Sequence, residues 1–158
     1  MQKSDLPIWA SVAEVISAMA VVFSLLYVGY EINRNTDIMD SDQNSMVFEA
    51  MRSWEQLLIV DEKLTDLYVR AASEYETFST AEQFRYRMLV VQYVGIWEQA
   101  FEGSQSRLLD AENWTSWNSA LLPEISQVVI VWPEISNYFS EEFQQHMTSE
   151  IRIFHQNQ

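Results

Sequence analysis

The chain has 158 residues, no cysteine, three Gly and three Pro, and 9 Lys+Arg against 23 Asp+Glu, a formal net charge of −14. The missing cysteines exclude a disulfide framework, a Cys-ligated metal or iron–sulfur centre and a thiol nucleophile, and the acidity speaks against nucleic acid as a partner, because phosphate binding demands a basic face. With 48% apolar residues and so little Gly and Pro, neither a disordered chain nor a turn-rich β fold fits, and an all-α protein is expected.

The first element is a membrane segment. Residues Val15 to Tyr30 carry no charge, and the wider stretch Ile8 to Tyr30 carries one, Glu14. A spanning helix needs ~20 apolar residues to cross a hydrocarbon core of ~30 Å. Trp9 stands at one end and Tyr27 and Tyr30 at the other; from Trp9 to Tyr30 a helix rises ~32 Å. Amphipathic rings one membrane thickness apart form an interfacial belt. Pro7 suits a helix start, and Glu31, Asn33, Arg34, Asn35 and Thr36 restore polar chemistry on the far side. Ala18-Met19-Ala20 has the small-x-small form of a signal cleavage site. The apolar run before it, however, is short and broken by Glu14, whereas the longest run follows it, so a span is read in preference to a cleaved leader or a buried core helix. Lys3 flanks one end and Arg34 and Arg52 the other, while Asp5, Asp37, Asp40 and Asp42 add little to the positive-inside bias. That near balance leaves orientation open.

Written as heptads, the segment places Ala10, Ala13, Ser17, Ala20 and Ser24 on one seam, with Ile16, Val22, Phe23, Leu25 and Leu26 on other faces. Small residues let helix backbones approach closely, and the seven-residue recurrence fits a left-handed crossing. A homo-oligomeric seam, or one for another membrane protein, is therefore expected. Glu14 adjoins this seam about 7 Å along the axis from Trp9. The preferred reading is a group near the membrane interface that is partly hydrated and hydrogen-bonds a neighbouring helix. The alternative is a homo-oligomeric cation channel or proton path with a ring of Glu14 carboxylates near the pore mouth.

The domain boundary is drawn after Thr36, with 1–36 as the membrane segment and flanks and 37–158 as a water-soluble bundle. Val47, Met51, Trp54 and Leu58 mark one helical face, and no Pro or Gly lies between Ile32 and Val60, so the first helix is expected to run on without a break. Asp61 is read as the N-cap of a short helix with Leu64, Leu67, Tyr68 and Ala71 inward. Ser79-Thr80-Ala81-Glu82 is a capping box. It opens a helix whose apolar residues (Phe84, Met88, Leu89, Val91, Val94, Ile96, Trp97, Phe101) spread so widely around the axis that a central position is expected. Gly103 and Ser104 fall near its end. Asp110 caps a helix bearing Trp114, Trp117, Leu121, Ile125 and Val128, which Pro123 should kink or break, and Trp132-Pro133 is read as starting a short turn of helix. Gln127 to Trp132 has strand-like composition but no partner strand, so helix is preferred. Ser140-Glu141-Glu142 opens the last helix, with Phe143, Met147, Ile151 and Phe154 inward. The result is a membrane helix leading into an antiparallel bundle of four or more helices.

No catalytic constellation emerges. The three Gly residues form no phosphate loop, and neither His146 nor His155 completes the Glu-x-x-His pair of a di-iron bundle. Glu142, His146 and Glu150 share a helix face at four-residue steps, which reads as a solvated edge with local ion pairing before it reads as a metal site. Glu98 and Glu102 read as an exposed or salt-bridged pair. Trp54, Trp97, Trp114, Trp117 and Trp132 read as core, or as a groove against a neighbouring subunit, before a ligand cage. No catalytic, cofactor-binding or metal-ligating residue is assigned.

The run Glu14 to Val28 followed by Glu31-Ile32-Asn33-Arg34-Asn35-Thr36 resembles the start of a group of small uncharacterised bacterial membrane proteins, a domain of unknown function, in which an apolar helix passes into a polar, Arg- and Asn-containing junction. Leu108-Leu109-Asp110, Trp114, Trp132 and Tyr138-Phe139-Ser140 with Phe143 are similar as well. Glu31 and Asn33 stand where that group more often has glutamine. The resemblance implies a single-pass protein of the bacterial inner membrane with a cytoplasmic helical domain, and it supplies no catalytic residue. Together these readings predict a membrane-anchored, self-associating assembly or interaction module, with the lipid bilayer and further copies of itself, or another membrane protein, as partners.

Overall fold

The computed structural model describes residues 6–157, with side chains described for residues 9–35, 38, 39 and 41–157. Lys3 and Asp5 lie outside the described residues, as do the side chains of Pro7, Asp37 and Asp40. The described residues are all-α: α1 (Leu6–Val60), α2 (Glu62–Glu74), α3 (Thr80–Gln105), α4 (Ala111–Leu121), α5 (Ile125–Ile135) and α6 (Glu141–Gln156), with three short 3₁₀ turns and no strand. The chain divides into two compact units, Met1–Met39 and Asp40–Gln158.

In the first unit the described residues are helical from Leu6 onward, and Pro7 falls in the first turn of α1, where its missing N–H forfeits no intrahelical bond. No residue in the most apolar window of Trp9–Asn35 is buried.

The second unit is a helical bundle. Its core is apolar and aromatic, with Trp97, Tyr86, Tyr93 and Phe143 the largest fully buried side chains. The caps set the helix starts as their sequences require. The Asp61 carboxylate accepts from the backbone N–H groups of Lys63 (3.0 Å) and Leu64 (3.2 Å). Ser79 and Glu82 form the reciprocal capping box, and Asp110 accepts from Asn113 N–H at 2.7 Å. Each cap satisfies donors that the helix cannot.

α3 packs against α2, α4 and α5, which makes it the central helix. Its apolar residues do not all face inward, however. Phe84 is 55% exposed, because in the first turns of α3 the buried stripe runs through Tyr86, Leu89 and Val90 and Phe84 lies off it. The helix ends at Gln105, beside Gly103 and Ser104 as expected. Gly103 is not the left-handed terminating residue; Arg107 is, at φ 59°. Leu108 N–H bonds Gly103 C=O (2.9 Å) and Arg107 N–H bonds Ser104 C=O (3.2 Å), the paired closure of a Schellman motif. Gly103 serves packing: a β-carbon there would sit 3.1 Å from Gln43 Cγ and 3.3 Å from Leu109 Cβ.

Pro123 does break the pattern. α4 ends at Leu121, a 3₁₀ turn covers Leu122–Glu124, and α5 follows. Trp132-Pro133 does not start a new turn; Pro133 lies inside α5, near its end. There the lost N–H costs one bond while the run from Val128 through Ile135 still buries an apolar stripe. The strand-like run Gln127 to Trp132 is helical throughout.

Candidate membrane and interaction surfaces

Because α1 is one helix through residues 9–35, the five seam residues fall on one side of it. Ala10, Ala13, Ser17, Ala20 and Ser24 occupy an arc of about 80° at 100° per residue, and Glu14 lies about 40° beyond Ala10. All six are exposed, as are Trp9 (71%), Tyr27 (64%) and Tyr30 (64%). The lipid-type residues Phe23, Leu25 and Leu26 are more than 60% exposed. Trp9–Asn35 is thus long and apolar enough to cross a membrane.

In the bundle, aromatic groups with polar tips act as pegs between helices. Trp54 of α1 donates its indole N–H to Leu89 C=O of α3 at 3.0 Å. Trp97 donates to Asn118 Oδ1 at 2.9 Å and Trp117 to Asn44 Oδ1 at 2.7 Å. Tyr68 donates to the Glu124 carboxylate (2.7 Å), Tyr86 to Gln127 C=O (2.9 Å) and Tyr93 to Leu121 C=O (2.7 Å). Burial raises the pKa of all three phenols above the ordinary value. Tyr75, which donates to Glu134 (3.1 Å), is pushed up to about 12, chiefly by burial. At neutral pH these phenols keep their protons, and each O–H donates to a neighbouring element and so orients the helix contacts. Arg87 pairs with the same Glu134, which raises the guanidinium pKa.

His146 is set among rings. Its imidazole stacks on Phe101 (centroids 5.1 Å) and meets Trp114 (5.5 Å), Phe143 (6.0 Å) and Trp97 (6.3 Å). Nε2 lies 3.3 Å from Asn118 Oδ1. An amide oxygen only accepts, so Nε2 carries the proton there. Burial lowers the His146 pKa, and Glu150 at 4.0 Å opposes the shift. The Glu142–His146–Glu150 face is therefore not a solvated edge: Glu142 is exposed, but the His146 and Glu150 side chains are only 18% and 16% exposed. Packing of α6 against the Phe101 and Trp114 rings covers the imidazole. Among the described residues no group of three or more His, Asp or Glu is placed to hold a metal ion.

Glu98 and Glu102 also part company. Glu98 accepts from both the N–H (2.7 Å) and the hydroxyl (2.8 Å) of Ser140, the N-cap of α6. A carboxylate on α3 thereby takes the part that an N3 carboxylate plays in a capping box, and it favours the positive end of α6. Glu102 remains exposed. Asn118 and Asn44, which satisfy the indoles of the buried Trp97 and the half-buried Trp117, were not legible in the sequence; only their helical spacing from Trp114 and Val47 hints at an inward edge.

A third surface is the end of α1. Leu57 (43%), Ile59 (76%) and Val60 (72%) are exposed there. Leu58 and Ile59 border an open groove with Glu62, Thr65, Asp66 and Val69 of α2.

Against known proteins, no family model matches the chain, and neither a curated protein nor a solved structure matches it.

Proposed function

We propose that the chain is a single-span membrane protein of the bacterial inner membrane, in which residues 9–35 hold a cytoplasmic helical bundle at the bilayer and the bundle serves as an assembly or interaction module. The observation that carries this reading is the exposure of a helix that is long and apolar enough to cross a bilayer and carries Trp9 and Tyr27/Tyr30 at its two ends. In water, ~20 exposed apolar residues would cost on the order of 1–2 kcal/mol each, and lipid removes that cost. The small-residue seam supports self-association within the membrane. The bundle's polar groups act as structural pegs, which supports binding over catalysis. Carbonate extraction of expressing cells tests the anchor. The full-mass chain is expected in the membrane pellet. Release into the supernatant, or a mass corresponding to cleavage after Ala20, refutes it.

A further inference from the structure

We infer that the corner between α1 and α2 is a docking surface for a basic amphipathic helix of a partner protein. This rests on the reading of the bundle as an interaction module and adds the place and the partner's chemistry. Leu57, Leu58, Ile59 and Val60 are consecutive apolar residues, three of them exposed, with Val69 beside them at 64%. A soluble surface does not keep such a run without a use for it. Here the run is shaped as well as exposed. Leu58 and Ile59 on one helix and Val69 on the next form the apolar part of a groove, with Thr65 between. That is the form that accepts side chains at i, i+3, i+4 and i+7 of a third helix.

The charges select the occupant. The two ionisable residues lining this groove, Glu62 and Asp66, are both acidic; Asp66 also bonds Arg70 through Oδ2 at 2.8 Å. The last turn of α1 has no basic residue, so the negative end of its dipole adds to the same field. Residues 40–158 hold 19 Asp+Glu against 7 Lys+Arg. A partner helix with Lys or Arg flanking its apolar stripe meets complementary charge and is steered toward it. A second copy would set acidic rim against acidic rim, and an anionic leaflet would be repelled. On the other side of the same turn, the groove bordered by Leu57, Leu64, Phe84 and Met88 includes Arg85, so the acidic selection belongs to the Ile59–Val69 side.

The test uses the full chain in nanodiscs of zwitterionic lipid, with p-benzoylphenylalanine in place of Val69 and, as control, in place of Ile153, which is exposed on α6. The probes are a synthetic Leu/Lys amphipathic helix and its Leu/Glu counterpart with the same apolar stripe. On irradiation, position 69 is expected to give at least about fivefold more adduct with the Leu/Lys helix than with the Leu/Glu helix. The preference should fall in Glu62→Lys, and the adduct should be lost in Ile59→Glu. Equal adduct from both helices, equal adduct at position 153, or dominant chain-to-chain or chain-to-lipid adducts at position 69 would each overturn the inference. None of these outcomes bears on anchoring, which the carbonate extraction reads separately.

Discussion

Two glycines on α3 give a paired prediction with opposite signs. At Gly95 a β-carbon meets nothing within 4 Å. Gly95→Ala therefore gains the helix propensity of alanine, about 0.5–1 kcal/mol, with no steric cost. At Gly103 the same atom lies 3.1 Å from Gln43 Cγ and Nε2 and 3.3 Å from Leu109 Cβ. Gln43 can swing aside only by giving up its bond to Gln99 C=O (3.3 Å). Leu109 is buried and tied by its own N–H to Gly103 C=O at 2.9 Å, so it yields little. Overpacking of this kind costs about 1–3 kcal/mol, which exceeds the propensity gain, and Gly103→Ala is expected to destabilise by up to about 2 kcal/mol. Thermal unfolding of the detergent-solubilised chain, followed by tryptophan fluorescence, should show Tm rising by a few degrees in Gly95→Ala and falling in Gly103→Ala, at about 3–6 °C per kcal/mol for a bundle of this size. A rise of equal size in both variants would refute the packing assigned to Gly103.

Asn118→Ala strands the indole N–H of the fully buried Trp97 and should cost about 1–3 kcal/mol in the same assay; an unchanged Tm would contradict the assignment. His146 has its folded pKa lowered by burial, so its contribution to stability is fully present above the unfolded value near ~6.5 and is lost as pH falls through the folded pKa. Stability should decline from about pH 6.5 downward, and His146→Phe should flatten that part of the profile before carboxylate protonation begins. Replacing Ser17 and Ser24 together by Leu should shift the detergent-solubilised protein toward smaller assemblies in native mass spectrometry; an unchanged oligomer would count against the seam.

The fold was largely legible from local signals. Asp61, the Ser79–Glu82 box and Asp110 mark helix starts because capping is a short-range bond between neighbours in sequence. The inward faces of α2 and α6 follow from their clean apolar periodicity. Signals failed where a distant element decides. Phe84 shares its helix face with the half-buried Met88 and Val91, yet it is left 55% exposed. Pro133 sits at a tolerated place inside α5 that only the packing of Val128–Ile135 explains. Glu98 caps a helix 42 residues away, and Asn118 serves Trp97 and His146 across the bundle. For the surfaces, the apolar and small-residue patterns of residues 9–35 are readable directly. The bare end of α1 is not, because periodicity picks out Leu58 on the inward face and says nothing of whether another element covers Leu57, Ile59 and Val60.

The most direct test of the membrane anchor exploits the cysteine-free sequence. Single cysteines placed in turn through residues 9–35 and at exposed bundle positions such as 153 can be challenged with a membrane-impermeant maleimide in intact and in opened cells. The account predicts an unbroken protected window of about 20 residues, with position 153 reacting only after the cells are opened. Reactivity recurring every three to four residues along 9–35, or reaction throughout the segment, would mean that one face or all of this helix lies in water, and would contradict the span.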